Sequence, residues 1–227
     1  MSTAATDLNP RYDDQIQRDV FEELKWDPRV APKGVGVAVK NGVVTLHGVV
    51  DTYATKWAAE DAALRVRGAV AVANELEVQL GGSSRRADEE IAAAALEALE
   101  SDAVIPKGKV KVTVSNAWVT LSGEAEWQYQ RDDAERIVSR LTGVCGVTNS
   151  IAVKPRTTPS GLERKIEDAL SRNAKLDAQK IRVSAQGGQV ALEGSVRSIA
   201  ESREAEKVAW HAPGVASVEN RLEISYV

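Results

Sequence analysis

The chain of 227 residues has one cysteine, one methionine, one phenylalanine, two histidines and little aromatic content, 4%. A lone Cys145 forms no intramolecular disulfide and supplies no Cys-x-x-Cys metal pair, which agrees with a reducing compartment. His47 and His211 stand far apart and form no His-x-x-x-His pair, so no metal ligands and no cofactor are assigned. Gly-x-Ser-x-Gly, Walker and dinucleotide-binding glycine patterns are missing; Gly34-Val-Gly36 lies at a strand start without the rest of that fingerprint. No catalytic residue is assigned, and no enzyme is expected. No apolar run reaches the ~18 residues that would span a bilayer, and the N-terminus carries no basic leader followed by an apolar stretch. The expectation is a cytoplasmic protein without a transmembrane segment. Basic excess is lacking too. The net charge is -4 and no third of the chain is basic overall, which argues against nucleic acid as a partner.

What the sequence does have is one pattern written three times. Gly48, Gly68 and Asn74 recur as Gly123, Gly143 and Asn149 and again as Gly194, Gly214 and Asn220, with identical intervals. Ahead of them, Ile16, Val20 and Leu24 lie at steps of four, as do Ile91, Ala95 and Leu99, and Leu162, Ile166 and Leu170; each unit opens with an amphipathic helix. Ser160-Gly-Leu-Glu163 and Ser198-Ile-Ala-Glu201 read as capping boxes. Period-two alternation follows, with Val35, Val37, Val39, then Val44 and Leu46 beyond Asn41-Gly42, a hairpin signal repeated in the other units. A second helix buries Ala59, Ala62, Ala63 and Val66, or their counterparts, and a last strand carries Val72, Leu76 and Val78.

The order is αββαβ, three times. The fold class is therefore α+β, in three tandem αββαβ units, each with two helices on one face of a small three-stranded mixed sheet. The boundaries drawn are a flexible tail at 1–11, units at 12–80, 86–154 and 160–227, and linkers at 81–85 and 155–159. Units this small supply few kcal/mol of core, about 3–5, and are expected to lean on one another.

The repeated Val-x-Leu-x-Gly strand end (44–48, 119–123, 190–194), followed by Gly-Val-x-x-Val-x-Asn (143–149, 214–220), resembles the BON domain, a name from bacterial osmotic-stress and nodulation proteins. The first copy departs mildly, with Gly68-Ala-Val-Ala-Val-Ala-Asn74. The resemblance covers nearly the whole chain. It implies a non-enzymatic binding module linked to osmotic or envelope stress, contacting anionic phospholipid or an envelope-associated protein. A cytoplasmic relative that responds to potassium ion implies a second reading, an ion-responsive sensor with the ion held by backbone carbonyls. A third is a structural scaffold for protein interaction; the oligomeric state is left open.

Two surface features stand out as binding candidates. On the second helix, Tyr53, Trp57 and Leu64 make a second apolar stripe opposite the alanine core face, repeated in part by Ile199 and Trp210 and lost in the middle unit. It serves either to pack units together or to seat a helix at a membrane interface, with Lys56, Arg65 and Arg67 near lipid phosphates. On the sheet face away from the helices, Lys109 and Lys111 alternate with core valines, as do Lys180 and Arg182, with Gly34 and Gly36 in their places in the first unit. Such cations bind anionic headgroups or pair with cross-strand acids such as Glu77, Glu193 and Glu223. The repeated glycines and asparagines are expected to serve the fold: glycine for a bulge, turn or close helix approach, asparagine for local backbone groups.

Overall fold

A computed structural model describes residues 10–30, 33–157 and 160–225, so the expected tail at 1–9 and the end at 226–227 lie outside it. The first repeat runs α1 (Pro10–Trp26), β1 (Val35–Lys40), β2 (Val43–Val50), α2 (Tyr53–Arg65) and β3 (Ala71–Val78). The second runs α3 (Asp88–Ser101), β4 (Val110–Ser115), β5 (Trp118–Ala125), α4 (Gln128–Val138) and β6 (Gly146–Val153). The third runs α5 (Leu162–Arg172), β7 (Ile181–Gln186), β8 (Gln189–Val196), α6 (Ile199–Trp210) and β9 (Ser217–Ile224). Short 3-10 turns at Gly82–Ser84 and Ala178–Lys180 complete the list, the first inside the stretch expected as a linker. Pro10 begins α1, so 10–11 belong to a helix rather than to a tail; proline suits the first turn, where its missing N–H has no helical partner anyway.

Each sheet has its middle strand in the centre, antiparallel to the hairpin partner and parallel to the strand that returns after the second helix. The register aligns Val37 with Leu46 and Leu46 with Asn74, and the other repeats keep the same alignment. One sheet face is covered by helix residues spaced as expected, since Ile16, Val20, Leu24, Ile91, Ala95, Leu99, Leu162, Ile166 and Leu170 are all buried. The central leucines Leu46, Leu121 and Leu192 are inaccessible to solvent, and each removes apolar area worth about 2 kcal/mol. The alanines of the second helix, Ala59, Ala63, Ala134, Ala205 and Ala209 among them, are buried too. Small residues there let the helix axis come close to the sheet.

By chain contacts the molecule divides into two compact units. One holds the first repeat through Gln79 together with Arg197–Ala200, and in it Ile199 packs half-buried against the core of the first repeat. The other holds Leu80–Val196 and Glu201–Ser225, with the third repeat's core built from Leu162, Ile166, Leu170, Val190 and Leu192.

Some helix starts differ from expectation. The cap of α5 is Gly161 at φ 70°, with no side-chain cap, so Ser160 does not close a capping box. α2 is capped by Thr52, whose Oγ accepts from the Thr55 N–H at 3.1 Å, and Glu90 accepts from the Ala87 N–H at 2.9 Å.

Candidate functional site

The repeated residues come first, because they define which surfaces are free. Gly48, Gly123 and Gly194 have φ of 120°, 122° and 127°, and a Cβ on any of them would overlap the carbonyl oxygen of Gly34, Lys109 or Lys180. Only glycine fits this bulge on the central strand, in which the Gly34 carbonyl accepts from the Val49 N–H at 3.1 Å. Gly68 and Gly143 permit close helix approach. A Cβ on Gly68 would stand 2.9 Å from the Ile16 side chain, and one on Gly143 the same distance from Arg86 Cβ.

The asparagines bind the second helix to the last strand. Asn74 Nδ2 donates to the Lys56 carbonyl at 3.1 Å and to Glu60 Oε2 at 3.1 Å, while its Oδ1 accepts from the Leu76 N–H. Asn149 and Asn220 repeat this with Arg131 and Glu135, and with Ser202 and Glu206. Sequence reasoning passed over the glutamate, although it stands fourteen residues before the asparagine in all three copies.

A second device was also missed. The Asp13 carboxylate accepts the N–H groups of Asn41 and Gly42 at 2.8 and 2.9 Å, and Asp88 accepts those of Asn116 and Ala117, both at 2.8 Å. These acids tie the hairpin turn to the first helix, beyond the helix-dipole role their position suggests. At the other end of α1, Asp27 is 5% exposed and meets Arg29 Nε and Nη2 at 2.9 and 2.6 Å and Arg65 Nη2 at 3.1 Å. The Arg29 hydrogen bonds hold its carboxyl well below the usual range, outweighing burial. Arg65 also meets Glu23 and Asp61, at 2.8 and 2.9 Å.

This network corrects the picture of a lipid-facing α2. Arg65 is engaged with three acids, and Lys56 Nζ donates to the Leu76 carbonyl at 2.7 Å. Leu64, on the outer stripe, is 7% exposed and so does not face lipid. Tyr53 and Ile199 are half-buried, and Trp210 packs against the third repeat's core. Trp57 alone of the stripe is open, at 39% exposure. The stripe is largely packing surface.

The sheet face away from the helices is where the charged candidates stand. Lys111 in β4 and Arg182 in β7 hold the same repeat position, are exposed, and make no hydrogen bond or ion pair among the described residues. Lys109 and Lys180 lie just before the strands rather than within them, because their carbonyls sit beneath the bulge glycines. Lys180 reaches Asp177 at 3.6 Å. Glu193, in register with Arg182, instead pairs with Arg221 at 3.0 Å. In the first repeat the same face carries Lys40, Glu75 and Glu77, with exposed Val43 and Val49 and the His47 ring lying over Gly36.

Trp118 was not singled out from the sequence. It starts β5 on this open face, 48% exposed, with its indole laid over Gly146 and its Nε1–H donating to Thr148 Oγ1 at 2.8 Å. Its signal was available: the register partner is glycine only in the repeat that has tryptophan, against Val43 with Ala71 and Gln189 with Ser217 elsewhere. Cys145 carries no activated thiol, since burial pushes its pKa up.

Two helices laid on one face of a β-β-α-β sheet, locked by a bulge glycine and a helix-binding asparagine, and repeated three times, define a tandem α+β repeat protein with bare sheet faces. The BON domain pattern matches at residues 12–79, 87–155 and 159–226, and the chain belongs to the BON domain family. It is 32% identical over 146 residues to osmotically-inducible protein Y of Escherichia coli (strain K12), covering 63% of this chain and 73% of that protein. A solved structure of CdsD, described as a structural protein of the type III secretion system of Chlamydia trachomatis, aligns over 93% of each chain at 14% identity with a TM-score of 0.26. A second, of the CdsD C-terminal domain, aligns over 92% of this chain and 96% of that one at 13% identity, with the same TM-score.

Proposed function

We propose that this chain is a non-enzymatic, stress-related binding protein that makes reversible contact with anionic phospholipid surfaces through its open sheet faces. The observation carrying this reading is the pair Lys111 and Arg182, two exposed cations at one repeat position, each without an acidic partner among the described residues. The BON family membership and the similarity to a protein named as osmotically inducible support the stress setting. An exposed lysine or arginine near an anionic bilayer contributes about 1 kcal/mol, so two of them on a chain of net charge -4 give weak, salt-sensitive attachment suited to a reversible encounter.

Co-sedimentation with phosphatidylglycerol-containing vesicles at low salt tests it, with phosphatidylcholine vesicles as the neutral control. The Lys111→Glu/Arg182→Glu double variant is expected to bind about tenfold more weakly or worse. Equal binding by the variant, or no preference for the anionic vesicles, rejects the reading. Melting curves in potassium and sodium chloride at one ionic strength provide the ion arm: a rise specific to potassium transfers the role to ion sensing.

A further inference from the structure

We infer that the open sheet face of the middle repeat is a glycan-binding platform centred on Trp118, a reading that goes beyond lipid attachment and does not depend on it.

Three rows of side chains cross β4, β5 and β6 in register: Ser115, Trp118 and Gly146; Thr113, Thr120 and Thr148; Lys111, Ser122 and Ser150. Six of these nine positions are serine or threonine and none is acidic. The corresponding rows of the third repeat contain Glu193, Glu219 and two arginines, and those of the first contain Lys40, His47 and Glu75 and a single threonine among valine, alanine and glycine. The hydroxyl surface is therefore peculiar to the middle copy, on a backbone that all three share.

Trp118 is prepared in a way a solvated surface tryptophan is not. Its lower ring face rests on Gly146, where any Cβ would intrude into the ring, and its one donor is spent on Thr148. What remains is a flat, apolar, solvent-facing ring already fixed in orientation, at little further entropic cost to a ligand. A sugar ring presents an apolar C–H face with hydroxyls around its edge. The first fits the indole; the second fits the threonine row beside it, which both donates and accepts. From Trp118 to Ser122 is four residues along one strand, about 13 Å, longer than one sugar ring, so the platform suits an extended chain lying along β5. Lys111, without a partner, borders the far row and favours neutral or acidic glycans over basic ones.

The test is an NMR titration of the full chain, following the five tryptophan indole N–H signals, with chitohexaose and cellohexaose as probes. A Trp118 signal, assigned through the Trp118→Ala variant, is expected to shift together with the amides of Thr113 and Thr120, at a Kd on the order of 1 mM. Thr113→Val, an exposed position, leaves the fold intact and is expected to weaken binding severalfold, which guards against misreading a folding defect in the alanine variant. Absence of any shift up to about 10 mM of either sugar, or shifts unaltered in both variants, overturns the proposal. So does a Trp118 response to oligothymidine or to phosphatidylglycerol vesicles without one to the sugars, which assigns the ring to a different ligand. Loss of vesicle binding in the Lys111→Glu/Arg182→Glu variant leaves the sugar titration to stand or fall alone.

Discussion

Asn149 Nδ2 lies 3.1 Å from Glu135 Oε2 and 2.8 Å from the Arg131 carbonyl, so one side chain of β6 holds two consecutive turns of α4. The same triangle stands in the other repeats. It sits where strand and helix meet, and this explains why asparagine and not aspartate recurs: a carboxylate there would face Glu135 without a donor.

Removing the amide takes the strand's donor from Glu135 and a second hydrogen bond from a helix carbonyl, so Asn149→Ala is expected to cost about 1–3 kcal/mol and Asn149→Asp at least as much. Urea denaturation measures it. A double-mutant cycle with Glu135→Gln is expected to show coupling of about 0.5–1.5 kcal/mol, and strict additivity would count against the pairing.

Asp27 gives the first repeat a pH dependence with a defined sign. Its folded pKa is lowered, first by hydrogen bonding to Arg29, from an ordinary value of 3.8, so its contribution is complete above the unfolded value and fades as pH falls through and below it. Asp27→Asn is expected to destabilise the first repeat by about 2 kcal/mol at pH 7, discounted from fully buried pairs because both arginines are partly exposed. The difference from the native chain is expected to shrink below about pH 4. Hydrogen exchange of β2 amides at pH 7 and at pH 3 reads both.

In the hairpin of the middle repeat, Ala117 holds φ 62°, a conformation unfavourable for a residue with a Cβ, where the first repeat has Gly42 and the third Gly188. Ala117→Gly is expected to raise stability by up to about 1 kcal/mol, net of glycine's greater freedom when unfolded. Asp88→Ala removes the carboxylate clamp on the same turn and is expected to lower it by about 1–3 kcal/mol. Thermal melts of both variants give the signs.

At the bulge, Gly123→Ala is expected to cost more than about 2 kcal/mol, because the added methyl meets a backbone carbonyl that cannot rotate away. Gly82→Ala is the control: a Cβ there has nothing within 4 Å, and the change is expected to stay within about 0.5 kcal/mol. Parallel denaturation curves compare them.

The helix and strand order, the hairpins and the buried faces of the first helices were legible because a period of four or of two leaves a mark in one dimension. The bulge glycine was legible as a recurrence and its reason was not, since the clashing atom belongs to a residue on another strand. Of the two readings of the outer stripe, the lipid-facing one misled at Leu64, because angular position on a helix says nothing of what lies above it. Lys56 and Arg65 misled likewise: long side chains reach partners no spacing rule selects, here a strand carbonyl and three acids.

By itself, the sequence determined three αββαβ repeats, their core faces and their resemblance to BON domains, because periodicity and repetition are local properties that survive in a string of letters. Tertiary structure decided which surfaces are left to bind anything. It consumed Leu64, Lys56 and Arg65 and left Lys111 and Arg182 without partners among the described residues. It also brought Trp118 onto Gly146, across a parallel strand pair joined by a helix, a contact that depends on pairing register and so shows only when the three copies are aligned, not in local spacing.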